Sequence, residues 1–169
     1  MAACVEAGAQ PEAVAASLSR FAAPHRRYEY PGTVCGVKLY TDYGHNPAEM
    51  HSALENAVHQ PHKRLFAVMQ PHTYSRVKTL FRDYIHCCDL ADEVLVTDIF
   101  AAREKDPGDI HATMLAKAMQ AEGAPAQYTP TFDDAEAYLR AHWQPGDLVI
   151  TMSCGNINLL NAQIQKHGD

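Results

Sequence analysis

The sequence lacks the features that would place it in several common classes. No CxxC spacing occurs, and the five cysteines, Cys4, Cys35, Cys87, Cys88 and Cys154, are odd in number. A disulfide framework and a cysteine-based zinc site are both poorly supported, and a reducing cytoplasm fits best. Ten histidines are present without an HExxH pair, and His59 and His62 read as an exposed loop, so no metal site is expected. No GxxxxGK[ST] occurs, so nothing in the chain cradles a triphosphate in the P-loop manner. No run approaches the roughly 18 consecutive apolar residues of a membrane helix. Met1–Gln10 has neither a basic region nor a long apolar run, which argues against a secretory leader. Lys and Arg number 14 against 20 Asp and Glu, a formal net charge of -6, and no basic stripe stands out. Neither nucleic acid nor an anionic membrane is expected as a partner. A local basic pocket for a phosphorylated small molecule stays compatible with that balance.

What is present is a chain long enough for one cored domain, 47% hydrophobic over 169 residues, with no internal repeat and no low-complexity linker. Residues 1 to about 21 read as an interrupted helix, broken at Gly8 and Pro11. Two short strands follow, Arg27–Tyr30 and Val34–Tyr40, with Pro31-Gly32 as the turn between them. Asn46 and Pro47 then read as the cap and first position of a helix running to about His59. From there strands and helices alternate: strand Leu65–Met69, helix Ser75–Leu90, strand Glu93–Ile99, helix Ile110–Gln120, strand Ala126–Thr129, helix Phe132–His142, strand Leu148–Met152, helix Ile157–His167. The order predicts an α/β fold, a Rossmann-like, mostly parallel sheet with helices on both faces.

In such sheets ligands sit beyond the carboxyl ends of the strands. Four polar clusters fall there: Asp42–His45, Gln70–Arg76, Asp98–Glu104 and Ser153–Asn156. Asp42 could accept hydrogen bonds from two ribose hydroxyls, or serve with Asn46 as a turn and capping residue. His45 lies just ahead of a helix N-terminus, where anions are favoured. His72 and Arg76 could converge on a carboxylate or phosphate, Arg76 by a bidentate grip; the plainer reading is a surface loop with Ser75 as cap. Arg26 and Arg27 form a basic pair that would, alone, be a solvated surface feature. Asp98 could orient His72 or bind an ammonium group, or simply cap. Cys154 reads as packing, because no base is placed beside it.

In this order, the clusters resemble those of the Mur ligase family. Phe21 to Glu29 resembles its Phe-x-Gly-x-x-Arg-Arg-Phe-Glu stretch, and Thr41 to Pro47 its Asp-Asp-Tyr-Ala-His-His-Pro segment. Met69 to Arg76 resembles Phe-Gln-Pro-His-Arg-Tyr-Thr-Arg. Ala91 to Val94 and Asp98 to Ala102 resemble Ala-Asp-Glu-Val and Asp-Ile-Tyr-Ala-Ala. Pro145 to Asp147 and Thr151 to Ile157 resemble Pro-Gly-Asp and Thr-Met-Gly-Ala-Gly-Asp-Ile. The chain departs from these patterns at Ala23, Thr41, Asn46, Thr73, Ser153, Cys154 and Asn156; Thr41 and Asn156 stand where the family carries acidic residues.

The resemblance implies a C-terminal ligase domain over residues 21–169, with residues 1–20 as the helical tail of a preceding central ATPase domain. Within the family, the Gln-Pro-His-x-Tyr-x-Arg element points to the members that join L-alanine to UDP-N-acetylmuramate in peptidoglycan precursor synthesis, through an acyl phosphate made with ATP. Magnesium ligands are then expected mainly in the central domain, and this chain alone would be inactive. Arg27, Asp42 and Tyr43 are implied on the ATP side. His45, His72, Tyr74 and Arg76 are implied near the incoming amino acid, with Arg76 on its carboxylate, His45 and His72 in supporting roles, and Tyr43 and Tyr74 as walls. Two alternatives remain: a relative that attaches a tripeptide to the same UDP-sugar, and a stand-alone α/β module binding a nucleotide or small anion, which the missing P-loop motivates.

Overall fold

The computed structural model describes residues 2–21 and 24–168. Met1, Ala22, Ala23 and Asp169, which fall in the expected tail, the Phe21–Glu29 stretch and the expected domain end, lie outside the described residues. Two short helices, α1 (Ala2–Glu6) and α2 (Pro11–Leu18), precede a six-stranded α/β domain. Its strands are β1 (Glu29–Val34), β2 (Val37–Asp42), β3 (Leu65–Met69), β4 (Glu93–Val96), β5 (Ala126–Tyr128) and β6 (Leu148–Met152). Its helices are α3 (Pro47–Val58), α4 (Tyr74–Thr79), α5 (Phe81–His86), α6 (Ala112–Ala121), α7 (Phe132–His142) and α8 (Asn158–His167). The sheet order is β1-β2-β6-β3-β4-β5, with β1 antiparallel to β2 and every other pair parallel.

β3 (LFAVM) and β6 (LVITM) are buried at every position, as continuous apolar runs covered on both faces must be. Alternation along the strands splits the core in two. Leu65, Ala67 and Met69 join Met50, Leu54, Tyr84, Leu115 and Met119 under α3, α5 and α6. Phe66 and Val68 join Leu139, Leu160 and Ile164 under α7 and α8. Helix α3 shows the logic locally. Asn46 accepts a hydrogen bond from Glu49 N at 3.0 Å, Pro47 occupies the first turn, and Met50, Ala53, Leu54 and Ala57 recur at helical spacing on the buried face.

Three expectations need correction. The first hairpin turns at Cys35-Gly36, both with positive φ (50° and 73°), and Pro31-Gly32 lies inside β1, where the register shifts between Glu29 and Gly32. A two-residue turn with both φ positive matches the twist of the flanking strands. The helix expected over Ser75–Leu90 breaks at Leu80 (φ -107°, ψ 21°) into α4 and α5, and its N-cap is Thr73, not Ser75. The strand expected to run to Ile99 ends at Val96, because the chain there leaves the sheet to pair Phe100 with His72.

The register levels the strand ends. Asp42 pairs with Met152, Met152 with Met69, Met69 with Val96, and Val96 with Tyr128. Five successive loops therefore leave from one rim. Strand β6 inserts between β2 and β3, which makes its end the switch point where a crevice opens.

Candidate functional site

The rim is built outward from Asp42. Its Oδ2 accepts from Tyr28 N at 2.8 Å and its Oδ1 from Gly44 N at 2.6 Å. The carboxylate thus clamps the Arg26–Tyr28 turn to the loop after β2. That turn needs a clamp: Arg26 and Tyr28 have φ of 58° and 47°, a left-handed conformation costing roughly 1–2 kcal/mol for each non-glycine residue. It presents two cations to one ring, the guanidinium carbons of Arg26 and Arg27 lying 5.0 and 5.1 Å from the Tyr43 centroid. Arg26 Nη2 also donates to Ser153 O at 2.5 Å, tying the turn to the loop after β6. Among the described residues neither guanidinium forms a salt bridge, so both charges are available to an anion.

From Tyr43 a line of rings crosses the crevice. Tyr43 meets His45 edge-on at 5.8 Å, His45 meets His72 at 5.9 Å, and His72 stacks on Phe100 at 5.6 Å. His45 is held by Nδ1 contacts to Tyr43 O (3.1 Å) and Glu49 Oε2 (3.0 Å), and its carbonyl accepts from the buried Tyr84 hydroxyl at 2.8 Å. His72 is set by a two-bond zipper between loops: Phe100 N donates to Pro71 O at 2.8 Å and Thr73 N to Phe100 O at 2.9 Å. Arg76 Nη1 lies 3.2 Å from His72 Nδ1. Arginine can only donate, so Nδ1 accepts and the neutral ring carries its proton on Nε2. Burial pushes the His72 pKa down, and the Arg76 charge and His45 add to the effect.

The floor is the loop after β6. Ser153 is buried, and its Oγ accepts from Gly155 N at 2.9 Å. A Cβ at Gly155 would stand 2.5 Å from Gln70 Oε1 and 2.8 Å from Phe100 Cγ, so only glycine lets this backbone approach. Gln70 Nε2 in turn donates to Asn156 Oδ1 at 2.8 Å. Burial pushes the Cys154 thiol up, with Arg76 pulling the other way, which leaves it a protonated packing group.

Arg27, Asp42, Tyr43, His45, His72 and Arg76 therefore share one rim. Tyr74 does not join them. Left-handed Thr73 (φ 61°) turns it to the far flank, into a groove of about 390 Å3 with Asp98, Asp106, His111 and Tyr128. Asp98 accepts from Tyr128 Oη at 2.5 Å and forms no hydrogen bond with His72; Glu104 holds Ser75 through its N–H and hydroxyl. Residues passed over in the sequence also matter here. The sequence alone assigns Phe100 and Tyr84 no role of their own, and only the loop pairing and the Tyr84 hydroxyl's direction reveal their part. No group of three or more His, Cys, Asp or Glu among the described residues is gathered to hold a metal ion.

An open, mostly parallel sheet that lines up unpaired guanidiniums and an imidazole pair at its switch point defines a ligand-receiving α/β domain. The chain belongs to the Mur ligase family: the family model described as "Mur ligase, glutamate ligase domain" matches residues 26–155. It is 44% identical, over 83% of its length, to the UDP-N-acetylmuramate–L-alanine ligase of Caldanaerobacter subterraneus subsp. tengcongensis, of which it covers 30%. Among solved structures it resembles the UDP-N-acetylmuramate-alanine ligase of Thermotoga maritima (TM-score 0.77, 18% identity, 98% of this chain and 35% of that one). The murein peptide ligase of Psychrobacter arcticus is also similar in fold (TM-score 0.72, 21% identity, 98% and 34%). The chain thus spans about a third of the length of these relatives.

Proposed function

We propose that this chain is the C-terminal domain of an ATP-dependent ligase that joins L-alanine to UDP-N-acetylmuramate in peptidoglycan precursor synthesis in the cytoplasm. The observation that carries this reading is the 44% identity, along most of the chain, to a ligase of that specificity. The rim supplies chemistry that suits it. Arg26 and Arg27, unpaired around Tyr43, suit the phosphates of ATP. Asp42 keeps one lone pair on each oxygen for a ribose hydroxyl while it clamps the arginine turn. Arg76 suits the alanine carboxylate, and the His45–His72 pair borders the amine that attacks the acyl phosphate.

In this reading residues 1–20 end the central domain, which carries the P-loop and most of the magnesium ligands. Closure of the rim onto that domain excludes water, which would otherwise hydrolyse the acyl phosphate, and orients the amine at the same time. The isolated chain then neither hydrolyses ATP nor ligates. Tyr74, on the other flank, would contact the amino acid only if the groove it lines forms part of the closed site.

The test joins this domain to the two N-terminal domains of the Caldanaerobacter relative and follows ADP release. The expected outcome is turnover dependent on both UDP-N-acetylmuramate and L-alanine. Arg76→Ala should raise KM for alanine about tenfold or more, since a charge-assisted hydrogen bond is lost. Alanine kinetics unchanged by that substitution would remove Arg76 from the site. Turnover with a tripeptide acceptor and none with alanine would move the assignment to the murein peptide ligases.

A further inference from the structure

Of the chain's five cysteines and six methionines, two of each meet in the core under α3 and α5. Cys87 and Cys88 follow α5, Met50 lies on α3, and Met69 ends β3. Cys87 Sγ donates to Met50 Sδ at 3.9 Å, Cys88 Sγ donates to Met69 Sδ at 3.9 Å, and the two Sγ atoms stand 3.6 Å apart. The four sulfurs therefore touch in a row, Met50–Cys87–Cys88–Met69. All four residues are buried, none more than 3% exposed. Cys87 also lines a groove of about 590 Å3 between α3 and α5, together with Pro47, Leu80 and Asp89. That groove brings solvent up to the first sulfur an entering ion would meet.

A thiol is a weak donor and a thioether a weak acceptor, so these contacts hold the sulfurs only loosely to one another. Their spacing suits a shared ion better. Four sulfurs each about 2.3 Å from one ion would stand about 3.8 Å from one another, and the three contacts straddle that value. Methionine is unbranched and adaptable, so rotation about its side-chain bonds closes the row around an ion. The donor set selects which ion. Thiolate and thioether are soft ligands that suit monovalent copper. Zinc takes cysteine, histidine and carboxylate, and no three such residues are gathered to hold a metal ion among the described residues.

We propose that Cys87, Cys88, Met50 and Met69 form a binding site for one copper(I) ion, entered from the α3–α5 groove. Cys87 binds as the thiolate, and its proton passes to solvent through the groove. Cys88 keeps its proton and, like the two methionines, binds through a sulfur lone pair. One positive charge enters as one leaves, so the core gains no net charge, which an apolar interior would penalise. The site shares no residue with the rim, and it stands whether or not the ligase reading holds.

Copper(I), supplied anaerobically as its acetonitrile complex, is titrated into the 169-residue chain in competition with the chelator bathocuproine disulfonate. The chain carries Cys4→Ser, Cys35→Ser and Cys154→Ser, so that no thiol outside the pair contributes. It should take one ion per molecule from the chelator. Cys87→Ala should abolish that retention. Met50→Leu combined with Met69→Leu conserves volume, so the chain should still fold. It should bind copper about tenfold more weakly or worse, since even an outer partner of a metal is worth that much. X-ray absorption on the copper-loaded chain without these core substitutions depends on no variant's folding, and should show more than two sulfur atoms at about 2.3 Å from copper. The proposal is overturned if the chain keeps no copper against the chelator, if the spectrum shows two sulfurs or fewer, or if Cys87→Ala or the leucine pair leaves copper affinity unchanged.

Discussion

His72 is half-buried between the Phe100 ring and the Arg76 guanidinium, and both surroundings disfavour its charged form. An unfolded histidine titrates near 6.5, and folding lowers that value here. Above the unfolded value the ring is neutral in both states, and His72 costs the domain no stability. Below it the unfolded chain takes up the proton first, so stability falls as pH drops toward and through the folded pKa. His72→Asn keeps an acceptor for Arg76 and removes the titration. Urea midpoints from about pH 8 to about pH 5 should therefore fall less steeply for the variant than for the parent. Equal slopes would show that His72 stays neutral for no energetic reason of its own. At this scale the sequence disclosed the cluster but not the directions of its side chains. Asp42, His45 and His72 could be placed beyond strand ends, and Arg76 on the helix that follows, from the order of strands and helices. Tyr74 could not be separated from them, because its direction depends on Thr73 adopting a positive φ that no residue pattern announces.

Elements with strong local signals were legible nearly to the residue. Asn46-Pro47 opens α3, and the apolar runs of β3 and β6 match their strands in full. Helix α7 begins where expected because Thr131 and Asp134 form a reciprocal capping box, Thr131 Oγ1 accepting from Asp134 N at 3.1 Å and Asp134 Oδ2 from Thr131 N at 3.1 Å. Elements shaped by tertiary context were less legible. Pro31-Gly32 looks like a turn but serves as the irregular part of an edge strand, where proline removes no needed ladder bond. The break at Leu80 lies within an unbroken helical pattern. The α7 cap gives a clean measurement. Thr131→Ala should lower stability by about 1 kcal/mol, with an unchanged denaturant slope, since one cap is lost and no buried surface is altered. A change in slope would mean that the N-terminus of α7 is held by more than its own cap.

Across the whole molecule, two cores on opposite faces of one sheet account for the buried apolar side chains from Val34 onward. The helices α1 and α2 stand outside both. Val14 is their only described buried residue, at 9% exposure, while Leu18 and Phe21 are 52% and 67% exposed. Cys4, Ala13, Val14, Leu18 and Phe21 line a shallow apolar groove of about 340 Å3 on this hairpin. A two-helix hairpin this short buries too little surface to fold by itself or to brace a sheet that is already covered on both faces. Under the proposal that residues 1–20 end a central domain, its apolar side would face that domain. Removing residues 1–20 should then cost the sheet domain less than about 1 kcal/mol, a fall in Tm of no more than about 4 °C for a chain of this size. Calorimetry on the parent and the shortened chain decides the point. A larger fall, or loss of the cooperative transition, would make the hairpin part of this domain's own core and would move the domain boundary ahead of it.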